Sequence, residues 1–414
     1  MPGKYFPIVT DPSCRLKWSW STLYLNSGTT ASCHRASGSD IPENFNEFHN
    51  TSTKVQDRAT MLSGQWPGNG CEYCKNIEEA GGTSDRKFQN QIPDVYPKEL
   101  ELDNTLTQVS PSIVEVFFAN TCNLACVYCS AKYSSAIQAE NALFGGSLIP
   151  DKNFEYVDNR YRELSPKFWK WFRDNSQTLQ RFQILGGEPF LQRDLHALID
   201  YLLVTEHPNL ELNLVTNLAL KPSVIKPILE KLSATKDRVK RIDIQTSIDA
   251  WDSSQEYVRH GLKLDTFDTN MTRLLAQGTY RVGLLSTISS LSINGMPALA
   301  KKYLEWGKIQ EIFWYMHLVL PNDTIFDPTI FDFGVFENSL EQTRAILPNT
   351  SWDDLRTLEV FDGIVLKLKQ RCSTNISKQQ ELLTFLEQND QRRDTNWRKD
   401  FPWLVTVFKE NHVV

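Results

Sequence analysis

The sequence predicts an α/β protein whose middle section is built from six parallel β/α units, with a small cysteine-rich segment before it and a helical segment after it. Three observations carry that expectation. Short β-branched and aromatic runs recur between Ile113 and Leu318 and alternate with stretches of helical spacing. Seven of the eight cysteines precede residue 130. Beyond about Pro321 only helical periodicity remains.

The chain has 414 residues, long enough for two or three domains at about 150 residues each. Hydrophobic residues at 41% and charged residues at 23% are ordinary for a soluble globular protein. No apolar run approaches the roughly 18 residues of a membrane span, and M-P-G-K-Y-F-P lacks the apolar stretch of a signal peptide. A cytoplasmic location without membrane contact is expected. The formal charge of -6 does not indicate a chain that grips a nucleic-acid backbone, which needs concentrated positive charge, although a nucleoside or nucleotide substrate stays compatible with it.

Residues 1–90 show little helical periodicity and much Gly, Ser, Asn and Thr, with one strand-like stretch over Ser19 to Asn26 leading to a turn at Ser27 and Gly28. Such a segment has too little apolar surface to stand alone unless a metal staples it. Cys14, Cys33 and the C-x2-C pair Cys71 and Cys74 could be that staple, as an iron–sulfur site, a zinc site or unligated thiols. Residues 91–110 carry two prolines and read as an extended linker.

Residues 111–320 contain the alternating section. Strands are expected over Ile113 to Phe118, Arg181 to Leu185, Leu210 to Thr216, Arg241 to Ile248, Arg281 to Ser289 and Glu311 to Leu318. Helices are expected over Pro166 to Ser176, Leu195 to Val204, Val224 to Leu232, Phe267 to Gln277 and Pro297 to Trp306. Such alternation implies right-handed crossovers and functional groups at the C-terminal strand ends. Residues 321–414 should form a helical extension over Phe336 to Leu347, Trp352 to Lys369 and Lys378 to Gln388, with Ser351 to Asp354 as a cap.

Chemistry-bearing motifs fall at those strand ends. After the first strand, N-T-C-N-L-A-C-V-Y-C-S places Cys122, Cys126 and Cys129 in C-x3-C-x2-C spacing. Three thiolates on one loop can hold three irons of a cubane cluster and leave the fourth iron open as a Lewis-acid position. Structural zinc, which prefers four ligands in paired spacings, and three reduced core cysteines are the plainer readings. After the second strand come Gly186, Gly187, Glu188 and Pro189, where glycines let the backbone approach a ligand and a carboxylate stands beside them. Thr216 and Asn217 end the third strand. Gln245, Ser247 and Asp249 alternate along the fourth and share one face.

The C-x3-C-x2-C loop followed by G-G-E-P resembles the radical S-adenosylmethionine (SAM) superfamily. That resemblance implies a partial (β/α)6 TIM-like barrel, a 4Fe–4S cluster on Cys122, Cys126 and Cys129, and SAM bound at its open iron. It also implies that Gly186, Gly187 and Glu188 hold the SAM ammonium, Thr216 and Asn217 the ribose, and the backbone of Tyr128 the adenine, with Thr287 and Asn294 as further adenine-side candidates. Ser247 and Arg259, in an S-x-D segment followed by an arginine, would take the SAM carboxylate. Cys14, Gly28, Cys33 and the later C-x2-C are similar to a twitch or SPASM-like auxiliary-cluster domain, here placed before the barrel. They imply a second, fully ligated 4Fe–4S cluster, with zinc as the alternative. The expected partners are an electron donor such as flavodoxin or ferredoxin and a peptide or protein substrate. A nucleotide, nucleoside or other small metabolite is the alternative substrate, and a non-catalytic iron–sulfur protein that transfers electrons or senses redox state is the rival class. His34, His196, His260, His317 and Cys372 have no partner at ligand spacing.

Overall fold

The computed structural model describes residues 14–33, 35–79, 84–90, 108–149, 158–319 and 325–413, without the side chains of residues 88–90, 158, 159 and 352. Most of the expected linker, and His34, lie outside the described residues. In chain order the strands are β1 (Trp20–Tyr24), β2 (Thr29–Ala31), β3 (Ser39–Asp40), β4 (Ile113–Phe117), β5 (Ala125–Cys126), β6 (Arg181–Leu185), β7 (His207–Thr216), β8 (Val239–Ser247), β9 (Arg259–His260), β10 (Arg281–Ile288) and β11 (Ile312–Leu318). The six strands expected in the middle section are all present. The chain divides into two compact units, Met1–Asn120 with Tyr156–Leu214 and Ala234–Ile242, and Thr121–Glu155 with Val215–Ser233 and Asp243–Val414.

In the first unit β4 pairs in parallel with β6, and β6 with β7. The N-terminal segment joins this sheet: β1 runs parallel to β4, Trp20 opposite Ile113 and Tyr24 opposite Phe117, and β2 and β3 follow as antiparallel ribbons. Apolar burial explains the join, because Trp20, Leu23, Ile113, Val114 and Val116 are all buried. The turn between β1 and β2 needs Gly28, whose φ is +73° and whose missing Cβ leaves room for the Arg160 guanidinium, only 2.6 Å from where that atom would lie.

A ring cluster forms the core of this unit. Phe168 is fully buried, edge-on to Phe118 at 5.2 Å and stacked on Phe182 at 5.9 Å. Such pairs add about 0.5–1.5 kcal/mol each beyond their buried area. Phe168 sits on the Asp158–Asn175 helix, which starts eight residues before the expected Pro166. The proline removes one backbone donor, yet the preceding turn is anchored by Tyr161 and Ser165, which both donate to the buried Asp194 carboxylate.

Two helices in the N-terminal segment, Ser52–Leu62 and Glu72–Glu79, had no apolar period to announce them. Positions 54, 57, 58 and 61 of the first do follow one helical face and are buried, but they are Lys54, Asp57, Arg58 and Met61. Charge, satisfied by ion pairs and backbone carbonyls, replaces hydrophobicity on that face. Lys17 Nζ lies 2.5 Å from Asp57, and Lys54 Nζ donates to Ser21, Thr30 and the Phe48 carbonyl.

In the second unit β10 pairs in parallel with both β8 and β11, and β5 and β9 form a two-stranded antiparallel ribbon. Helices Leu264–Ala276 and Met296–Gly307 bury Phe267, Met271, Leu274 and Met296, Leu299, Tyr303 at three- and four-residue steps. The C-terminal segment is helical as expected, over Gly334–Ile346, Trp352–Arg371, Ile376–Arg393 and Pro402–Glu410. Ser351 and Asp354 form a capping box, a feature that contributes about 1 kcal/mol to a helix end. Among the described residues no helix is long and apolar enough to cross a membrane.

Candidate metal centres

The three-cysteine loop lies in the second unit and is held by its own backbone and by one buried carboxylate. Cys122 N–H donates to Ser135 Oγ at 3.0 Å, Cys129 N–H closes a turn on the Cys126 carbonyl at 3.0 Å, and Ser134 Oγ donates to the Leu124 carbonyl at 2.6 Å. Cys126 stands in β5, paired with Arg259 in β9. All three cysteines keep some surface exposed. The dense surroundings of Cys126 nevertheless push its thiol up to about 12, chiefly through burial, while Arg259 pulls in the other direction. Binding iron therefore requires that this proton be displaced, as any thiolate ligand does.

Asp249, just beyond β8, is the keystone of the loop. Its carboxylate accepts from Arg259 Nε at 2.8 Å and Nη2 at 2.9 Å, from Tyr128 Oη at 2.6 Å and from Thr287 N–H at 2.8 Å. The side chain is fully buried. Burial alone would depress the Arg259 guanidinium, but the Asp249 carboxylate outweighs it and holds Arg259 well above its ordinary range. One carboxylate thus fixes the residue before Cys129 and the strand residue paired with Cys126.

Arg259, expected to serve a ligand carboxylate, also takes part in the Asp249 clamp. Its Nε and Nη2 donate to Asp249. Ser247 is buried at the end of β8, opposite Leu285. Thr287 also pairs through its hydroxyl with His317 Nε2 at 3.2 Å, whereas Asn294 accepts from Ser339 at 2.7 Å.

Thr216 and Asn217 brace a strained turn. Thr216 Oγ1 accepts from Leu218 N–H at 3.0 Å, Leu218 has a φ of 52°, and the buried Asn270 amide donates to the Leu218 and Leu220 carbonyls. A left-handed leucine costs about 1–2 kcal/mol, which these bonds offset. From this turn Asn217 Nδ2 reaches Asn123 Oδ1 at 2.9 Å and Cys122 Sγ at 3.8 Å, so the strand end touches the three-cysteine loop directly.

In the first unit, Gly186 and Gly187 follow β6 with φ of 80° and 56°. A side chain at Gly186 would lie 2.8 Å from the Phe117 ring. Gln192 Nε2 donates to the Gly186 carbonyl at 2.6 Å and to the Ala119 carbonyl at 3.2 Å, tying this turn to the segment that leaves β4 for the cysteine loop. Glu188 is fully buried and caps the next helical turn by accepting from Phe190 N–H at 3.0 Å.

The first unit also gathers Cys14, Cys33, Cys71 and Cys74 around one cleft, with Lys17, Arg35, Met61, Trp66 and Arg86 in its wall. Burial pushes the Cys14 thiol to about 12 and Cys71 to about 11, and raises Cys33 and Cys74. Three cations surround them. Arg35 is paired with Asp85 at 2.7 Å and lies over the Tyr73 ring, Arg86 is paired with Glu78 and lies over Trp66, and Lys17 is paired with Asp57. Among the described residues no three Cys, His, Asp or Glu side chains meet at single-ion spacing. The four thiols stand around the cleft wall instead.

Sequence reasoning brought all four of these cysteines to one site and all three loop cysteines to one loop. It missed Asp249 as the clamp, Gln192 as the tie and the cations of the cleft. Asp249 was visible only as one of a polar row, and its partner Arg259 becomes its neighbour through the β5–β9 ribbon. Cys372 lies elsewhere, its thiol turned to the Pro328 carbonyl at 3.6 Å.

No family model matches the chain, and no curated protein matches it. Among solved structures it is similar to "Native anSMEcpe with bound AdoMet" at 16% identity and a TM-score of 0.36, with 66% of each chain covered. It is also similar to Streptococcus suis SuiB bound to the precursor peptide SuiA at 14% identity and a TM-score of 0.36, covering 74% of this chain and 61% of that one. The chain thus spans just under two thirds of the length of these structures. The likeness is loose, partial and without residue roles to transfer.

Proposed function

We propose that the chain is a radical SAM enzyme with a partial (β/α)6 barrel, a 4Fe–4S cluster on Cys122, Cys126 and Cys129, and an auxiliary 4Fe–4S cluster on Cys14, Cys33, Cys71 and Cys74. The observation that carries the reading is the three-cysteine loop clamped by one buried carboxylate, in a chain whose remaining cysteines lie at the separate cleft or against Pro328. Three protein ligands on a cubane leave one iron for a chelating cofactor. Held by Cys122, Cys126 and Cys129, such a cluster would supply, when reduced, the single electron for cleavage of the SAM carbon–sulfur bond to methionine and a 5'-deoxyadenosyl radical that abstracts a substrate hydrogen atom.

The chain's own residues orient and exclude. Asp249, Arg259 and Tyr128 hold the loop in shape, Asn217 donates toward the Cys122 sulfur, and the open backbone of Gly186 and Gly187 with the Glu188 carboxylate offers acceptors to an ammonium. Thr216, Asn217 and the Tyr128 backbone serve the ribose and adenine, and Ser247 with Arg259 the carboxylate end, Arg259 doing so from within its Asp249 pair. A cleft ringed by four thiols suits a cubane, which carries its ligand sulfurs apart on four irons, better than one zinc ion. We favour a peptide or protein substrate, flavodoxin or ferredoxin as electron donor, and the reducing cytoplasm as the setting, as the family resemblance implies.

The test is anaerobic reconstitution with iron and sulfide, followed by incubation with SAM and dithionite. Release of 5'-deoxyadenosine is expected, and protein carrying a full complement of iron that releases none would refute the reading.

A further inference from the structure

Lys17 differs from the other two cations of the cysteine cleft. Arg35 pairs with a partly exposed Asp85 and Arg86 with Glu78, whereas Lys17, only 2% exposed, follows Cys14 by three residues and so stands on the same short segment as a cysteine of the cleft. Its ammonium lies 2.5 Å from Asp57 Oδ2, and the other oxygen of that carboxylate accepts from Asn69 Nδ2 at 3.1 Å, two residues before Cys71. The same ammonium stands in the cleft wall with Cys14, Cys33 and Cys71. Lysine, aspartate and asparagine therefore knit the segment carrying Cys14 to the loop carrying Cys71.

We propose that Lys17 is the residue that sets the reduction potential of the auxiliary cluster, its charge favouring the reduced form and Asp57 moderating that charge. The inference rests on the proposed cluster at Cys14, Cys33, Cys71 and Cys74. Adding an electron makes a thiolate-ligated cubane more negative, and a buried cation in the wall of its cleft stabilises that state; net charge is one of the levers that move such potentials. Removal of the cation lowers the potential. Removal of the anion alone raises it, because the ammonium then acts without its counter-charge.

The experiment uses the full chain with Cys122, Cys126 and Cys129 replaced by alanine, reconstituted so that only the cleft holds iron, and follows the cluster by EPR during a dithionite titration. Lys17→Met combined with Asp57→Asn avoids leaving a buried unpaired carboxylate. It is expected to shift the ratio of reduced to oxidised cluster about tenfold toward oxidised at a fixed potential, or about 59 mV for one electron. Asp57→Asn alone is expected to shift it in the opposite direction, and Lys17→Arg to leave it near the parent value. Opposite signs are the result a merely structural role would not produce. Parent protein with about four irons whose potential is unchanged in both neutralised variants, or moves the same way in both, overturns the role of Lys17 and leaves the cluster standing. Parent protein without iron overturns the cluster and the inference together. Should the double variant fail to hold iron, Asp57→Asn decides alone, and a lowered or unchanged potential there overturns the proposal.

Discussion

The two cysteine sites of this chain solve opposite problems. The loop in the second unit carries three thiols and spends its surroundings on geometry: Asp249 collects two guanidinium donors, a phenol and a backbone N–H, tying Tyr128, next to Cys129, to Arg259, the strand partner of Cys126. The cleft in the first unit carries four thiols and surrounds them with Lys17, Arg35 and Arg86. A site that must admit a ligand at an open iron needs a rigid frame, whereas a fully ligated site has its geometry from the cluster itself and uses its neighbours to set charge. On the proposed reading, the difference fits chemistry at the loop and electron handling at the cleft.

Removing one ligand of the open site should have the largest effect. Cys126→Ala is expected to abolish 5'-deoxyadenosine release and to lower iron from about eight to about four per chain, since each cubane holds four. Undiminished release in that variant would break the assignment of the loop. Next in size is Asp249→Asn, which leaves Arg259 buried without its counter-charge. Loss of a buried partner costs about 3–5 kcal/mol, to be read by denaturant unfolding of the iron-free chain. The iron lost on reconstitution should be that of the loop alone, and an unaltered loop cluster with unaltered stability would mean that the clamp is incidental.

Glu188→Gln tests the ligand side of the open site. Deleting a charge-assisted hydrogen bond to an ammonium removes about 1.5–3 kcal/mol, a weakening of SAM binding by roughly tenfold to a hundredfold with both clusters retained. Equal affinity in equilibrium binding would leave Glu188 only its role in capping the turn at Phe190. The smallest effect concerns the foundations of the closed site. His49 is buried with Nε2 donating to the Trp18 carbonyl and Nδ1 facing Ser21 Oγ; burial, aided by Lys54 and Arg58, holds it well below its ordinary range. Below about pH 6.5 the unfolded chain takes up a proton that the folded chain refuses, so stability is full above that pH and falls as pH drops. The expected loss is about 1.4 kcal/mol by about pH 5.5, and His49→Gln should flatten that part of the profile. An identical pH profile in the variant would show that His49 does not carry this term.

How much of this was legible in the sequence follows from the kind of interaction involved. Cys14, Cys33, Cys71 and Cys74 were set together only as one possible staple and by resemblance, whereas the C-x3-C-x2-C spacing and the glycine turn after β6 are local, so both could be read directly at strand ends that follow from alternating patterns. The helix carrying Lys54, Asp57 and Arg58 could not, because its buried face is charged and hydrophobic periodicity passes over it. Asp249 and Arg259 were visible as residues but not as a pair. Their pairing depends on the two-residue ribbon that sets Cys126 beside Arg259, a contact between segments far apart in the chain. The placement of β1 beside β4 was likewise beyond a local reading, since a strand's own sequence does not name its neighbour.

The contrast between an open and a closed cluster is tested most directly by EPR of the dithionite-reduced protein with and without SAM, in wild type and in the chain lacking Cys122, Cys126 and Cys129. The expected result is a wild-type spectrum that changes when SAM is added and a variant spectrum, from the cleft cluster alone, that does not. A wild-type spectrum indifferent to SAM, or a variant spectrum that responds to it, would contradict the account.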